Sequence, residues 1–131
     1  MTITEFLLAR IAEIEAVARR AGDVRVYRTD IGHVYLQSPQ HGRINLPDVL
    51  RMTDGEATVY EHLAFNAPGR VLADCKAKRQ AVTFLAALIA DAERDPSYEG
   101  VTACANMAEE LLEMLASAHA DHPDFREEWR A

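Results

Sequence analysis

The chain has 131 residues, 49% of them hydrophobic and 27% charged, and its formal net charge is −7. This length suits one domain with one hydrophobic core, and the excess of carboxylates makes nucleic acid an unfavourable main partner. No apolar run approaches the roughly 20 residues that span a bilayer, and the first residues do not resemble a signal peptide. We therefore expect a single cytoplasmic domain over residues 1–131 that makes no membrane contact.

The N-terminal segment carries the signature of a capped amphipathic helix. Thr2 and Glu5 have the spacing of a capping box, and Gly22 is a helix stop. Apolar residues between them recur at alternating steps of four and three, which predicts a helix from about Ile3 to Ala21. The predicted apolar stripe consists of Leu7, Ile11, Ile14, Ala18 and Ala21.

The next segment changes to a period of two, with β-branched and aromatic residues separated by glycine, proline and aspartate. It predicts strands near Val24–Thr29 and His33–Gln37, joined by a tight turn, and a short third strand around Arg43–Leu46. A ribbon of two or three strands is marginal alone and leaves unpaired edges. We therefore expect the chain to form a homodimer.

The second half of the chain is predicted to be helical. A capping box at Thr53 and Glu56 opens a helix ending near Asn66, and Pro68 begins a long helix that reaches about Glu93. The last long helix carries the stripe Cys104, Ala108, Leu111, Leu115 and Ala118. The predicted fold class is α+β: a bundle of about four helices, with a small antiparallel sheet after the first and a short C-terminal turn.

The sulfur-containing side chains are predicted to lie in the core. Cys75 and Cys104 each lie on an apolar stripe, so we expect both to be buried thiols between the two long helices, in a reducing compartment. Met52, Met107 and Met114 are interpreted as core-filling side chains.

Two segments, EHLAFNAPGRVLADCKAKR in the middle and ADHPDFREEWRA at the end, carry a family resemblance. They resemble a family of small actinobacterial and actinophage proteins of unknown function. Its members show a central HIARHDPARVL followed by EAKR, and end in YADHPDYREEWRP. The resemblance implies membership of that family and no activity.

The residues that match the family's motifs fall into a central and a C-terminal set. The central set is His62, Pro68, Arg70, Ala77, Lys78 and Arg79. The C-terminal set is Asp121, His122, Pro123, Asp124, Arg126, Glu127, Glu128, Trp129 and Arg130. Asn66 and Ala67 replace a histidine and an aspartate of the family pattern, and His119 replaces its tyrosine. The first departure weakens any two-histidine metal site in the central helix.

The C-terminal segment is chemically rich enough to suggest either a site or an anchor. His119 and His122 have a spacing that can share a metal ion within a helical turn. Pro123, however, starts a new element, so we expect the two imidazoles to lie on either side of a chain reversal. We favour an anchor: Asp121 or His122 caps a helical turn opened by Pro123, while Phe125 and Trp129 lie on one face.

Charged groups of the same segment have a predicted role beyond anchoring. Asp124 is placed at the positive end of that turn's dipole. Arg126 and Arg130 are expected to pair with carboxylates of other helices or with an anionic ligand.

Two functional hypotheses remain. The first is a non-enzymatic binding or regulatory protein, such as a phage or host accessory factor, that contacts a protein partner through the sheet edge or a helix face. The second is a ligand-binding protein or small hydrolase. We expect no catalytic constellation or cofactor, because the chain has no nucleophile elbow or phosphate-binding glycine loop. We expect no metal either, because of the chain reversal expected between the two C-terminal histidines. The candidate ligand-binding residues are His62, Asn66, Arg70, Asp121, His122, Asp124 and Arg126.

These candidate residues predict one spatial relationship. If they form a single site, His62 and Arg70 lie close to the segment from Asp121 to Arg126.

Overall fold

The computed structural model describes residues 1–28, 34–39, 42–45, 63, 66–97 and 99–131. It divides into two compact units, which are described separately. The terminal unit comprises Met1–Glu13 and Cys75–Ala131, and the central unit comprises Ile14–Asp74.

Helix α1 spans Ile3–Ala21, as the sequence predicted. The capping box is formed in both directions: the Thr2 N–H donates to Glu5 Oε2 at 2.7 Å, and the Glu5 N–H donates to Thr2 Oγ1 at 3.2 Å. These bonds lower the pKa of the Glu5 carboxyl. At the other end Gly22 has a φ of 72°, the left-handed conformation that terminates many helices.

The central unit contains a three-stranded antiparallel sheet in the order β1-β2-β3. Its strands are β1 (Arg25–Arg28), β2 (Val34–Ser38) and β3 (Gly42–Asn45), and every end lies within one residue of its predicted bound. Tyr27 faces Tyr35 across β1 and β2, and their rings stack at 5.3 Å. The Arg43 guanidinium lies 4.0 Å from the centre of the Tyr35 ring. The predicted tight turn between β1 and β2 lies outside the described residues.

Two long helices follow. Helix α2 spans Pro68–Arg94 and buries Val82, Leu85 and, as predicted, Cys75. Helix α3 spans Glu99–Ser117.

The predicted stripe of α3 is wrong except at Ala108, which is buried as expected. The buried residues of α3 are Ala105, Ala108, Leu112 and Ala116. Cys104 is exposed, as are Met107, Leu111 and Met114. Apolar residues cover most of the circumference of α3, so its periodicity did not identify the inner face. Three alanines and Leu112 occupy that face, whereas both methionines remain outside.

The fold class is α+β and mainly helical. The described residues contain three long helices, where the sequence predicted about four. The helix expected from Thr53 to Asn66 lies outside the described residues, except that Leu63 is helical and Asn66 lies in a turn. Met52 also lies outside them.

Candidate functional site

The C-terminal segment, residues 119–131, packs its rings around the fully buried side chain of Phe6. The Phe6 ring centre lies 5.1 Å from that of Trp129 and 6.1 Å from that of Phe125. The imidazoles of His119 and His122 approach the same ring at 6.4 and 5.9 Å. The segment is therefore held by an aromatic cluster that one α1 residue organises.

Hydrogen bonds between backbone groups of the segment and the Ser117 side chain of α3 fix the end of the segment. The Ala131 N–H donates to Ser117 Oγ at 3.1 Å, and that hydroxyl donates to the Trp129 carbonyl oxygen at 3.5 Å. Trp129 is only 7% exposed. The predicted pairing of Phe125 and Trp129 is also present, with ring centres 6.1 Å apart. These contacts fit an anchoring role.

The local structure before Trp129 differs from the prediction. The Asp124 N–H donates to His122 Nδ1 at 3.1 Å, so the His122 side chain caps a turn. No helix starts at Pro123, because Arg126 is extended and a 3-10 helix begins only at Glu127. The capping residue was therefore anticipated, but the helical turn after it was not found.

The two tail arginines pair within their own segment. Arg130 donates to both oxygens of Glu127 at 2.7 and 2.8 Å, and Arg126 lies 3.4 Å from Glu128. Their guanidinium groups also lie over the Trp129 and Phe125 rings. The predicted pairing with carboxylates of other helices is absent from the residues that the structure describes.

A buried arginine lies beside this cluster, and sequence analysis did not identify it. Arg10 is 6% exposed, and its guanidinium carbon is 5.3 Å from the Phe6 ring centre. Its Nη2 lies 2.8 Å from Glu13 Oε1 and 3.7 Å from Asp124 Oδ2. Its Nε and Nη1 atoms are buried and have no hydrogen-bond partner among the described residues. The available signal was that Arg10 follows Phe6 by one helical turn.

The imidazoles differ in their electrostatic surroundings. Burial lowers the pKa of His119, and the positive charges of Lys78 and Arg10 act in the same direction, against the opposing charge of Asp121. The His119 side chain is therefore neutral at neutral pH. His122 lies between two carboxylates, with Nε2 4.0 Å from Glu13 Oε2 and Nδ1 3.9 Å from Asp124 Oδ2.

The predicted ligand-binding residues are only partly gathered. His122 and Asp124 lie together at Arg10, and Asp121 and Arg126 belong to the same segment. Asn66 and Arg70 belong to the central unit, and His62 lies outside the described residues. The proposed proximity of His62 and Arg70 to this segment stays a prediction.

Two negative findings concern the described residues only. No group of three or more His, Cys, Asp or Glu side chains among them is arranged to hold a metal ion. No described helix is both long and apolar enough to cross a membrane.

A second candidate surface is the outer face of α3, which we define as Met107, Leu111 and Met114. These side chains are 63%, 45% and 60% exposed, and Cys104 continues their line by one turn. All the charged residues of α3 are glutamates, namely Glu99, Glu109, Glu110 and Glu113. Helix α3 therefore combines exposed thioether and aliphatic groups with negative charge.

Comparison with known proteins identifies the chain at the level of a family. Neither the curated proteins nor the solved structures gave a significant match. A family model matches residues 1–131, the whole length of the chain. The chain thus belongs to DUF6221, a family of unknown function.

Proposed function

We propose that the chain is a non-enzymatic cytoplasmic binding protein whose outer face of α3 accepts a basic amphipathic segment of a partner protein. The observation that carries this proposal is the exposure of Met107, Leu111 and Met114 in one line on a well-formed helix. The two free thiols, one of them exposed, fit a reducing compartment.

The spacing of the outer face suits a helical partner. Met107, Leu111 and Met114 follow one another at steps of four and three, which places them along one side of α3. Such a stripe receives the apolar side of an amphipathic segment, as in helix recognition by an apolar surface. Methionine side chains are flexible and polarisable, so they adapt to the shape of a partner.

The charge of α3 selects the kind of partner. Because α3 has four carboxylates and no lysine or arginine, two copies of this face would bring like charges together. A partner with apolar side chains flanked by lysine or arginine would gain contacts of both kinds. The net charge of −7 favours encounter with the same class of partner.

The proposal is tested with designed peptides. The probe is an amphipathic helix of leucine and lysine, and the controls are a scrambled peptide of the same composition and a leucine–glutamate helix. We expect the leucine–lysine helix alone to shift amide resonances of α3, and its affinity to fall as salt rises. Equal binding of the scrambled peptide would contradict recognition by a structured face.

Two variants of matched exposure give the control within the chain. Met107→Gln should weaken binding of the leucine–lysine peptide by about tenfold, or ~1.4 kcal/mol. Phe84→Gln changes a side chain on α2 that is also 63% exposed, and it should leave that affinity unchanged. Equal effects of the two variants would indicate nonspecific apolar adhesion.

Self-association is the main competing use of the same face. Light scattering of the free protein at increasing concentration measures it directly. A dimer that Met107→Gln abolishes would show that a second copy occupies the outer face and would overturn the choice of a basic partner. A dimer that survives the substitution and leaves peptide binding intact would locate self-association elsewhere, as expected for a sheet edge, and would support the proposal.

A further inference from the structure

The buried guanidinium of Arg10 has more hydrogen-bond donors than the described residues use. An arginine carries five N–H groups. Nη2 forms an ion pair with Glu13 at 2.8 Å, whereas Nε and Nη1 are buried and have no hydrogen-bond partner among the described residues. Asp124, at 3.7 Å from Nη2, is beyond hydrogen-bond distance. Buried donors without acceptors destabilise a fold, so such groups require an explanation.

The guanidinium group determines which acceptors suit Nε and Nη1 of Arg10. The guanidinium group presents N–H bonds in a fixed plane that matches the oxygens of carboxylates and phosphates. The Phe6 ring lies against the guanidinium, which favours an enclosed site over a hydrated surface contact. We propose that Arg10 anchors a binding site for an oxyanion, either a carboxylate or a phosphate group, between α1 and the C-terminal segment.

The charge balance makes anion binding dependent on pH. The charged and titratable groups that pair with Arg10 or His122 or act electrostatically on His119 come from α1 (Arg10, Glu13), α2 (Lys78) and the C-terminal segment (His119, Asp121, His122, Asp124). Two cations oppose three carboxylates, so a bound anion adds to a negative excess unless the His119 imidazole takes up a proton. Binding should therefore be accompanied by proton uptake and should strengthen as the pH falls towards about 6.

The burial of Arg10 also indicates how an anion would reach its guanidinium group. Because Nε and Nη1 are closed from solvent, an anion reaches them only when the neighbouring chain shifts. The turn at His122–Asp124 is the adjacent element, and the Asp124 side chain is half-exposed and not hydrogen-bonded to Arg10. Binding should therefore move the backbone amide resonances of this turn together with the Arg10 side chain.

The experiment is a pair of titrations, with inorganic phosphate and with acetate, of the complete chain labelled with ¹⁵N. The reporter is the Arg10 Nε–H resonance, followed at about pH 7.5 and about pH 6. We expect a saturable shift with tighter binding at the lower pH. The anion that binds more tightly identifies the oxyanion class. Absence of any saturable shift with both anions would overturn the proposal.

Variants separate a specific site from general anion effects. Arg10→Met should weaken the binding of the preferred anion by at least about tenfold. Arg94→Met removes an exposed arginine that pairs with Asp91, and it should leave binding unchanged. An equal loss in both variants would contradict the site. If Arg10→Met fails to fold, the titration of the unmodified chain still decides the question. Neither result bears on peptide binding at α3.

Discussion

The C-terminal segment has the composition of a functional site but is largely packed against its own terminal unit. The outer face of α3 has the composition of a core but is exposed. The segment contains histidines, carboxylates, arginines and aromatic rings, yet most of these groups contact one another, Phe6 or Ser117. The outer face of α3 contains two methionines and a leucine, and all three remain exposed. Dense chemistry in a sequence therefore does not identify a site, because the same groups can stabilise a docked segment.

The largest expected effect tests whether the aromatic cluster is the anchor. Phe6→Ala should lower the free energy of unfolding by about 3–5 kcal/mol, because it leaves a cavity under Trp129 and Phe125. Phe84→Ala is the same substitution at an exposed position and should change it by no more than about 0.5 kcal/mol. Urea denaturation of both variants gives the comparison. Similar losses would show that burial does not distinguish the two rings.

The next prediction tests whether the surface of α3 at Cys104 is accessible to solvent. Cys104 is exposed and Cys75 is only 2% exposed, so a maleimide should label Cys104 at least about a hundredfold faster, a difference of ~2.7 kcal/mol. Labelling kinetics followed by mass spectrometry measure both rates, and Cys104→Ser isolates that of Cys75. Slow labelling of both thiols would mean that the α3 surface is covered in solution, against the proposed function.

A smaller effect tests the bonds at the end of the chain. Ser117→Ala removes the hydroxyl that accepts from the Ala131 N–H and donates to the Trp129 carbonyl oxygen. It should lower the free energy of unfolding by about 1 kcal/mol. Thermal denaturation measures the loss. Ser97→Ala is the control, because that hydroxyl donates to the exposed carboxylate of Asp95 in the α2–α3 loop. A neutral Ser117→Ala would show that ring packing alone holds the segment.

The smallest expected effect concerns pH. Because the folded state lowers the pKa of His119, the unfolded state binds more protons near and below the ordinary value of 6.5. This contribution to stability is fully present above that value and is lost as the pH falls below it. His119→Tyr retains a ring against Phe6 but does not titrate there, so its Tm should decline less between about pH 7.5 and 5.5. Parallel Tm profiles would exclude a contribution from His119.

The sequence predicted regular elements better than it predicted burial. The capping box at Thr2 and Glu5 determines where α1 begins, and strong local signals of this kind can be read directly. The inner face of α3 was misassigned because alanines and larger apolar residues alternate around it. Burial there is decided by packing, which periodicity does not describe.

The candidate site was harder to predict than the fold. Arg10 and Phe6 belong to a helix whose sequence suggested no chemistry, and their importance comes from a segment at the opposite end of the chain. Spacing along one helix showed that the two are neighbours, but not that residues 119–131 bury them. His122 as a capping residue was predictable, because that interaction is local.

The contact of Phe6 with Trp129 also bears on how the length of the chain can vary. It joins residues near the two ends, and the whole central unit lies between them in sequence. Closing a flexible loop costs only about 0.6 kcal/mol more for each doubling of its length. Insertions or deletions between β1 and α2 should therefore change the closure free energy very little. Relatives can accumulate differences in length there while the rings that close the terminal unit stay the same.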